Sequence, residues 1–351
     1  MSQNKATKIK HPPPKSDIIN PERLKGYKNM YEWQQHIQTI IDEIERCIKD
    51  GADDTLTLTS LSEKLGYSEF HTTRKFREIS GMSFKDYLRL RRLAYAFIQV
   101  RDTDRRIIDI AIDAGFSSNE AFTRAFKKAY GITPAEYRQN PVPVVLRTKM
   151  YSFNRYSLGL GEIGMKKSNH EIKTYFVTIP AHKFLHIRNY ESNGYMDFWD
   201  KQSKIEGQDW DTITGLLDSI KGKLDDEGGT DSNSGSGQIM AFIHDPKGKP
   251  FCYGVPRAEC YGVRLPKDYS GELPSQMIVT DVPEADYIVF EHGPFDYEQE
   301  NGSVDEAMDK AIAEYDYAGT GYRFDDSPGR ITYLFHDPER FWKWIRPVKK
   351  V

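Results

Sequence analysis

Residues 107–138 read IIDIAIDAGFSSNEAFTRAFKKAYGITPAEYR, and their spacing decides the fold of the first half of the chain. Ile107, Ile110, Ala111 and Ala114 recur at helical spacing and stop at Gly115. Ser117 or Ser118 then caps a second helix carrying Phe122, Phe126 and Tyr130, which Gly131 closes. Residues 61–83, LSEKLGYSEFHTTRKFREISGMS, repeat this plan. There Thr57 caps a helix with Leu58, Leu61 and Leu65, Gly66 ends it, and Ser68 caps the next, which runs past Phe70 and Phe76 to Gly81. A longer helix from about Phe84 to Gln99 joins the two copies. The pattern is an internally duplicated helix-turn-helix.

Such a unit needs a small residue where its helices cross, and Ser62 and Ala111 stand there. Its second helix enters the major groove of DNA, with short polar residues first and cations further on. The second copy supplies Ser118, Asn119, Glu120, Thr123 and Arg124, then Lys127 and Lys128. Asn suits adenine, Arg suits guanine and Glu the cytosine amino group, while the two lysines suit phosphates. Charge agrees with this reading. Residues 1–140 hold 24 Lys+Arg against 19 Asp+Glu, and residues 141–351 hold 25 against 33, so a basic half precedes an acidic one.

With Ala111, Gly115, Phe116, Ser118, Phe122, Phe126, Gly131, Pro134, Tyr137 and Arg138 all in place, the stretch resembles the AraC/XylS family of transcription regulators over roughly residues 35–140. The resemblance implies seven helices and two recognition helices joined by a rigid central one. It implies insertion into successive major-groove segments about 34 Å apart. It also carries base-facing roles onto Phe70, Thr73 and Arg74, and onto Asn119, Glu120, Thr123 and Arg124. The first copy departs from the family at Thr72 and Lys75, where apolar residues usually pack inward, so a looser first unit is expected. Arg89, Arg91 and Arg92 read as a solvated face of the central helix.

Outward from this domain, residues 1–30 read as a disordered basic arm with seven Lys+Arg and two Asp+Glu. Residues 141–170 read as a Pro- and Gly-rich linker and hinge. Residues 171–351 turn to β character. TYFVTIPAHKFLHIRNY and MIVTDVPEADYIVFEHGPF both read strand, proline bend, strand. MAFIHDPKGKPFCYGVPR and ITYLFHDPERFWKWIRPV both read strand, His-Asp-Pro turn, strand. Helical stretches lie at about 196–204, 211–224 and 304–314, and a flexible insertion spans 225–237. The expected fold class is therefore multidomain: an N-terminal all-α double helix-turn-helix at 31–140, then a C-terminal α+β domain. The latter would be two pseudo-symmetric strand–helix–hairpin repeats with a cleft between them.

The C-terminal repeat resembles the gyrase-inhibitor-like domain, on VTIPAHKFLHIRNYESNGYMDFWDKQ, VPEADYIVFEHGPF, RITYLFHDP and the closing RPV. That resemblance implies a cleft for a small, often apolar or cationic molecule. Candidate walls are Tyr195, Phe198, Trp199, Trp210, Tyr253, Tyr287, Tyr333 and Trp344, with Glu291 as an acid. Cation-binding relatives carry an acid in the last strand where this chain has Lys343, which leaves a neutral or anionic effector open. The expected function is a DNA-binding transcription regulator controlled by an aromatic or apolar effector, with RNA polymerase as a further partner. The alternative is a small-molecule hydrolase using Glu291 with Tyr333 or Tyr253. Blocking of a gyrase is a third, family-borne possibility. No cofactor or metal site is expected. Cys47, Cys252 and Cys260 are too few and too scattered for disulfides or zinc, and no run of 18 apolar residues or signal peptide occurs, so a cytoplasmic protein is expected.

Overall fold

The computed structural model describes residues 21–51, 56–153, 166, 171–225, 237–250 and 255–351, with side chains from Tyr31 onward. The N-terminal half is helical: α1 (Pro21–Asp50), α2 (Leu58–Leu65), α3 (Glu69–Ser80), α4 (Phe84–Asp102), α5 (Ile107–Asp113), α6 (Asn119–Tyr130) and α7 (Pro134–Gln139). α1 begins at Pro21, inside the stretch expected to be an arm, and the rest of that arm lies outside the described residues. Thr57, Ser68 and Ser118 cap α2, α3 and α6 with their hydroxyls, as their sequence positions predict. The tight turns need Gly66 and Gly115, at φ 75° and 77°, a region other residues enter only with strain.

Two apolar cores sit side by side. Ile37, Ile40, Ile41 and Ile44 of α1 pack with Leu61, Phe76 and the start of α4. Phe97 and its α4 neighbours pack with Ile110, Ala111, Phe122, Phe126 and Tyr137. Each such buried side chain contributes about 1.5–3 kcal/mol. α4 belongs to both cores, and its 19 residues make it about 28 Å long. Thr72 does not loosen the first unit: it is fully buried, and its hydroxyl donates to the Ser68 carbonyl at 3.1 Å.

Between the two cores lies Arg91, expected on a solvated face but with no exposed surface. Its Nε and Nη2 donate to the Glu45 carboxylate of α1 at 2.7 and 2.5 Å, and Nη1 donates to the Arg147 carbonyl. Arg147 lies in residues 141–153, which the sequence presents as a hinge. They form instead an extended connector pinned on both sides. Lys149 pairs with Asp42 at 2.9 Å, the Met150 amide donates to Tyr87 at 3.1 Å and Ser152 donates to the Gln34 carbonyl at 3.0 Å. Pro and Val prevent a helix here, but an extended chain still has amides to satisfy and apolar side chains to bury, and Val144 and Leu146 are buried.

The C-terminal half contains β1 (Lys173–Ile179), β2 (His182–Asn189), α8 (Tyr195–Gln202), α9 (Trp210–Ser219), β3 (Gln238–Pro250), β4 (Pro256–Pro266) and β5 (Ile278–Val282). β6 (Ala285–His292), α10 (Tyr297–Ala313), β7 (Tyr322–Phe324), β8 (Ile331–Asp337) and β9 (Phe341–Lys350) follow. The strands form one sheet in the order β1-β6-β9-β8-β3-β4-β2-β5, with β7 beside β9. The two strand–bend–strand stretches are not hairpins: β1 pairs with β6, and β5 with β2, so each proline bend carries the chain to a distant strand. Strand alternation sorts the side chains. One face, with Leu185, Phe242, Tyr261, Phe290 and Trp344, is covered by α8, α9 and α10. The other has no helix over it, and the sheet curls so that Phe184, Tyr287, Val289, Tyr333 and Ile345 cover one another.

Removing one partner of a buried ion pair strands the other charge. Glu45→Ala is therefore expected to lower unfolding stability by about 3–5 kcal/mol in urea titrations, and Glu45→Leu combined with Arg91→Met to recover most of it. A loss below about 1 kcal/mol, the level of a surface pair, would refute the buried role.

Burial pushes His186 down to about 3, and His244 and His336 to about 4. Their folded values lie below the ordinary 6.5, so the unfolded chain binds more protons between. Stability is thus intact above pH 6.5 and falls as pH drops from there towards 4, by up to about 1.4 kcal/mol per unit for each histidine. Thermal midpoints at pH 7, 6 and 5 check this; a flat profile over that range contradicts it.

Candidate functional site

α3 and α6 present their polar faces to solvent. On α3 these are Phe70, Thr73 and Arg74, all exposed, with Phe70 at 80%. An aromatic ring so exposed at the start of a helix makes no core contact and is free to meet a thymine methyl. His71, its neighbour, turns inward onto Trp33 at 4.8 Å. On α6, Glu120, Arg124, Lys127 and Lys128 are exposed, while Asn119 and Thr123 are half-buried. The Asn119 side-chain oxygen is turned inward, without a hydrogen-bond partner among the described residues. Ser118 accepts from the Ala121 amide at 3.2 Å as the cap, which leaves its hydroxyl proton free to donate outward. The Glu120 carboxyl is held below its ordinary range by backbone and Ser118 hydrogen bonds, and then by nearby Arg124. The α6 face thus carries a fixed carboxylate beside a fixed guanidinium, with two further cations along the same helix.

The candidate effector residues divide between the two faces of the sheet. Tyr195, Trp199 and Trp210 form an aromatic box with Tyr261 under α8 and α9: Trp199 lies 4.8 Å from Trp210 and 4.9 Å from Tyr261, and Tyr195 lies about 6 Å from both indoles. Phe198 and Trp344 belong to the same core. Trp344 stacks on Phe242 at 5.4 Å, with its indole N–H unpartnered among the described residues. Tyr287, Tyr333 and Glu291 face the other way, and Tyr253 lies outside the described residues. Strand parity is the cause, since odd positions of β6 and β9 point away from the helices. Lys343 is on that far side too, paired with Glu291 at 3.1 Å, so it brings no charge to the aromatic box.

That arrangement also separates the proposed acid–base pair. Glu291 accepts from Tyr175 at 2.6 Å, and Tyr333 shares a 2.7 Å hydrogen bond with His182. Burial raises the Glu291 carboxyl, but the Tyr175 hydroxyl and Lys343 outweigh it and hold the group low, which makes it a poor base near neutral pH. Among the described residues no cluster of His, Cys, Asp and Glu could hold a metal, and no helix is long and apolar enough to cross a membrane.

Sequence reasoning missed Glu259, Arg101 and Arg264. Glu259 is buried two residues before Tyr261, accepts from the Gly194 amide at the start of α8 at 2.7 Å, and keeps its other oxygen unpartnered. Alternation along RAECYGV was the available signal. Arg101 ends α4 and donates to the Asp218 and Ile220 carbonyls at the end of α9; nothing in the sequence announces it.

Two exposed recognition helices on one rigid connector define a paired helix-turn-helix domain of the kind that reads DNA. Residues 61–140 match a family model described as a helix-turn-helix domain. The regulatory protein SoxS of Salmonella typhimurium is 38% identical over 105 residues, 30% of this chain and 94% of SoxS. The chain belongs to the AraC family. The right origin-binding protein of Escherichia coli K12 is 34% identical over 151 residues, 43% of this chain, and the chain spans 45% of that relative's length. Among solved structures, the C-terminal domain of AraT, a response regulator from Geobacillus stearothermophilus, is 30% identical, with a TM-score of 0.27, over 30% of this chain and 84% of that one.

Arg124 is the exposed cation nearest the start of α6 with the right chemistry for a guanine edge. Arg124→Ala is expected to weaken binding to the DNA upstream of the protein's own gene by about 1–3 kcal/mol, and random DNA by much less. Fluorescence anisotropy at two salt concentrations reads both. An equal loss on both DNAs would mean that Arg124 contacts only phosphate.

Proposed function

We propose that the chain is a transcription regulator whose DNA-reading half answers a small molecule held in its C-terminal domain. The observation that carries this reading is α9, which has two working faces. One bears Trp210 and Ile213 and forms a wall of the aromatic core. The other bears Asp211, Thr214, Gly215 and Ser219, which hold the connector: Arg147 pairs with Asp211 at 2.7 Å, Thr148 meets Thr214 at 3.3 Å, and the Leu146 and Val144 amides donate to the Gly215 carbonyl and the Ser219 hydroxyl. The end of α9 also takes Arg101 from α4 and, at the Ser219 carbonyl, the Tyr137 hydroxyl from α7. A molecule that enters the aromatic box and shifts α9 must therefore shift the helix that spaces the two recognition helices.

Further support comes from the other wall. Lys166 donates its amide to the Gln299 carbonyl at 2.8 Å and accepts from Ser303 at 3.0 Å, so the segment between the domains also touches α10. The segment is then strained whenever α9 and α10 part. In this mechanism the connector transmits by being gripped, which replaces the hinge that its composition suggests. The strand order reads the same from either end once β1 is matched with β5, β6 with β2, β9 with β4 and β8 with β3, which supports two related halves meeting at the β8–β3 seam, as a gyrase-inhibitor-like domain would have. The box, flanked by buried Glu259, favours an aromatic effector, and a surface offered to RNA polymerase is the natural output of altered DNA binding.

Gly215 tests the coupling. A Cβ there would overlap the Leu146 backbone, so Gly215→Ala must displace the connector. In a screen of aromatic effectors, a compound that changes operator affinity of the wild type should still bind Gly215→Ala, seen by tryptophan quenching. It should change that variant's operator affinity by a clearly smaller factor. An undiminished response would remove α9 from the pathway; no compound altering wild-type affinity would remove effector control.

A further inference from the structure

The helix-free face of the sheet holds a groove of about 600 Å³ that the regulatory reading does not use. Its floor is apolar, with Val177 on β1, Val289 on β6, Ile345 on β9 and Leu224 beside β4. Three cations, Arg264, Lys267 and Lys343, line it against a single carboxylate, Asp225. Lys343 is already engaged by Glu291, which leaves Arg264 as the group that decides what the groove takes.

Arg264 is preorganised. Its side chain is only 12% exposed, and its guanidinium carbon lies 5.5 Å from the ring centres of both Tyr333 and Phe335. Nε and Nη2 form a fork on Asp225, at 2.8 and 2.6 Å. A bidentate fork of this kind fits a planar carboxylate and fixes its orientation. Asp225 itself sits awkwardly: at φ 67° it is the one non-glycine residue in left-handed backbone among the described residues. An L-residue adopts that conformation at a cost of about 1–2 kcal/mol. The carboxylate on Arg264 is thus supplied by a residue that the backbone disfavours, at the edge of an apolar groove large enough for a small organic molecule.

We propose that this groove is a second small-molecule site, for a monocarboxylate with an apolar body, in which Asp225 is an internal stand-in for the ligand's carboxylate. Binding exchanges one carboxylate for another on the Arg264 fork, frees Asp225 to reach water, and lays the apolar body over Val177, Val289 and Ile345. No bond is made or broken. The site lies across the sheet from the aromatic box, and its occupancy does not depend on DNA binding.

The test is isothermal titration calorimetry of the full chain with octanoate, octanol and octylamine. Octanoate should bind, octanol at least about tenfold more weakly, and octylamine not at all. Asp225→Asn removes the competing charge and should tighten octanoate about tenfold, whereas Arg264→Gln should abolish it. Trp199→Ala, in the aromatic box, should leave the octanoate affinity unchanged. Equal affinity for octanol and octanoate would overturn carboxylate recognition. Unchanged or weaker binding by Asp225→Asn would overturn the stand-in role, whether or not Arg264→Gln folds. Loss of octanoate binding in Trp199→Ala would put the ligand on the other face and overturn the groove as its site. None of these outcomes bears on whether aromatic effectors alter operator affinity.

Discussion

Arg91 carries a full positive charge into a place with no water, and the geometry of the N-terminal half follows from how that charge is met. Desolvating a guanidinium costs several kcal/mol unless nearly every donor finds an acceptor. The acceptors here come from three separate pieces of chain: α1 through Glu45, α4 through Arg91 itself, and the connector through the Arg147 carbonyl. Tyr95 adds a hydrogen bond to Glu45 at 3.1 Å. A charge that must be matched this closely fixes α1, α4 and the connector to one another more tightly than apolar packing, which tolerates small slides. Since α4 spaces the two recognition helices, their separation depends on it.

From that fixed point the connector runs along α9, and the second arginine, Arg101, closes the arrangement at the other end of α4. Both ends of the central helix are thus held by groups outside the helix-turn-helix units. The two domains meet through satisfied backbone amides and carbonyls rather than through a flat apolar patch. Such contacts are directional, so a rotation of α9 breaks or re-forms them as a set. That is the physical basis for reading the C-terminal domain as a control element.

The sheet of the C-terminal domain divides its residues into two chemistries by strand parity alone. The helix-covered face gathers indoles and phenols around Tyr261, and the helix-free face gathers Arg264, Lys343, Glu291 and Tyr333. Aromatic residues that look equivalent in sequence therefore do different work. Tyr333 braces a buried histidine, whereas Trp199 and Trp210 make a box.

Much of the DNA-reading half was legible in the sequence, because its determinants are local. Caps at Thr57, Ser68 and Ser118, glycines at 66 and 115, and apolar residues three and four apart act within a single turn or helix. The strands and bends of the second half were legible for the same reason. Which strands pair was not: β1 lies beside β6 and β5 beside β2, and a proline bend carries no information about the partner it leads to. The burial of Arg91, the gripped connector and the fork between Arg264 and Asp225 escaped the sequence as well. Each joins residues 39 to 117 positions apart, and the free energy of a desolvated charge is settled by partners that only the folded chain brings within reach.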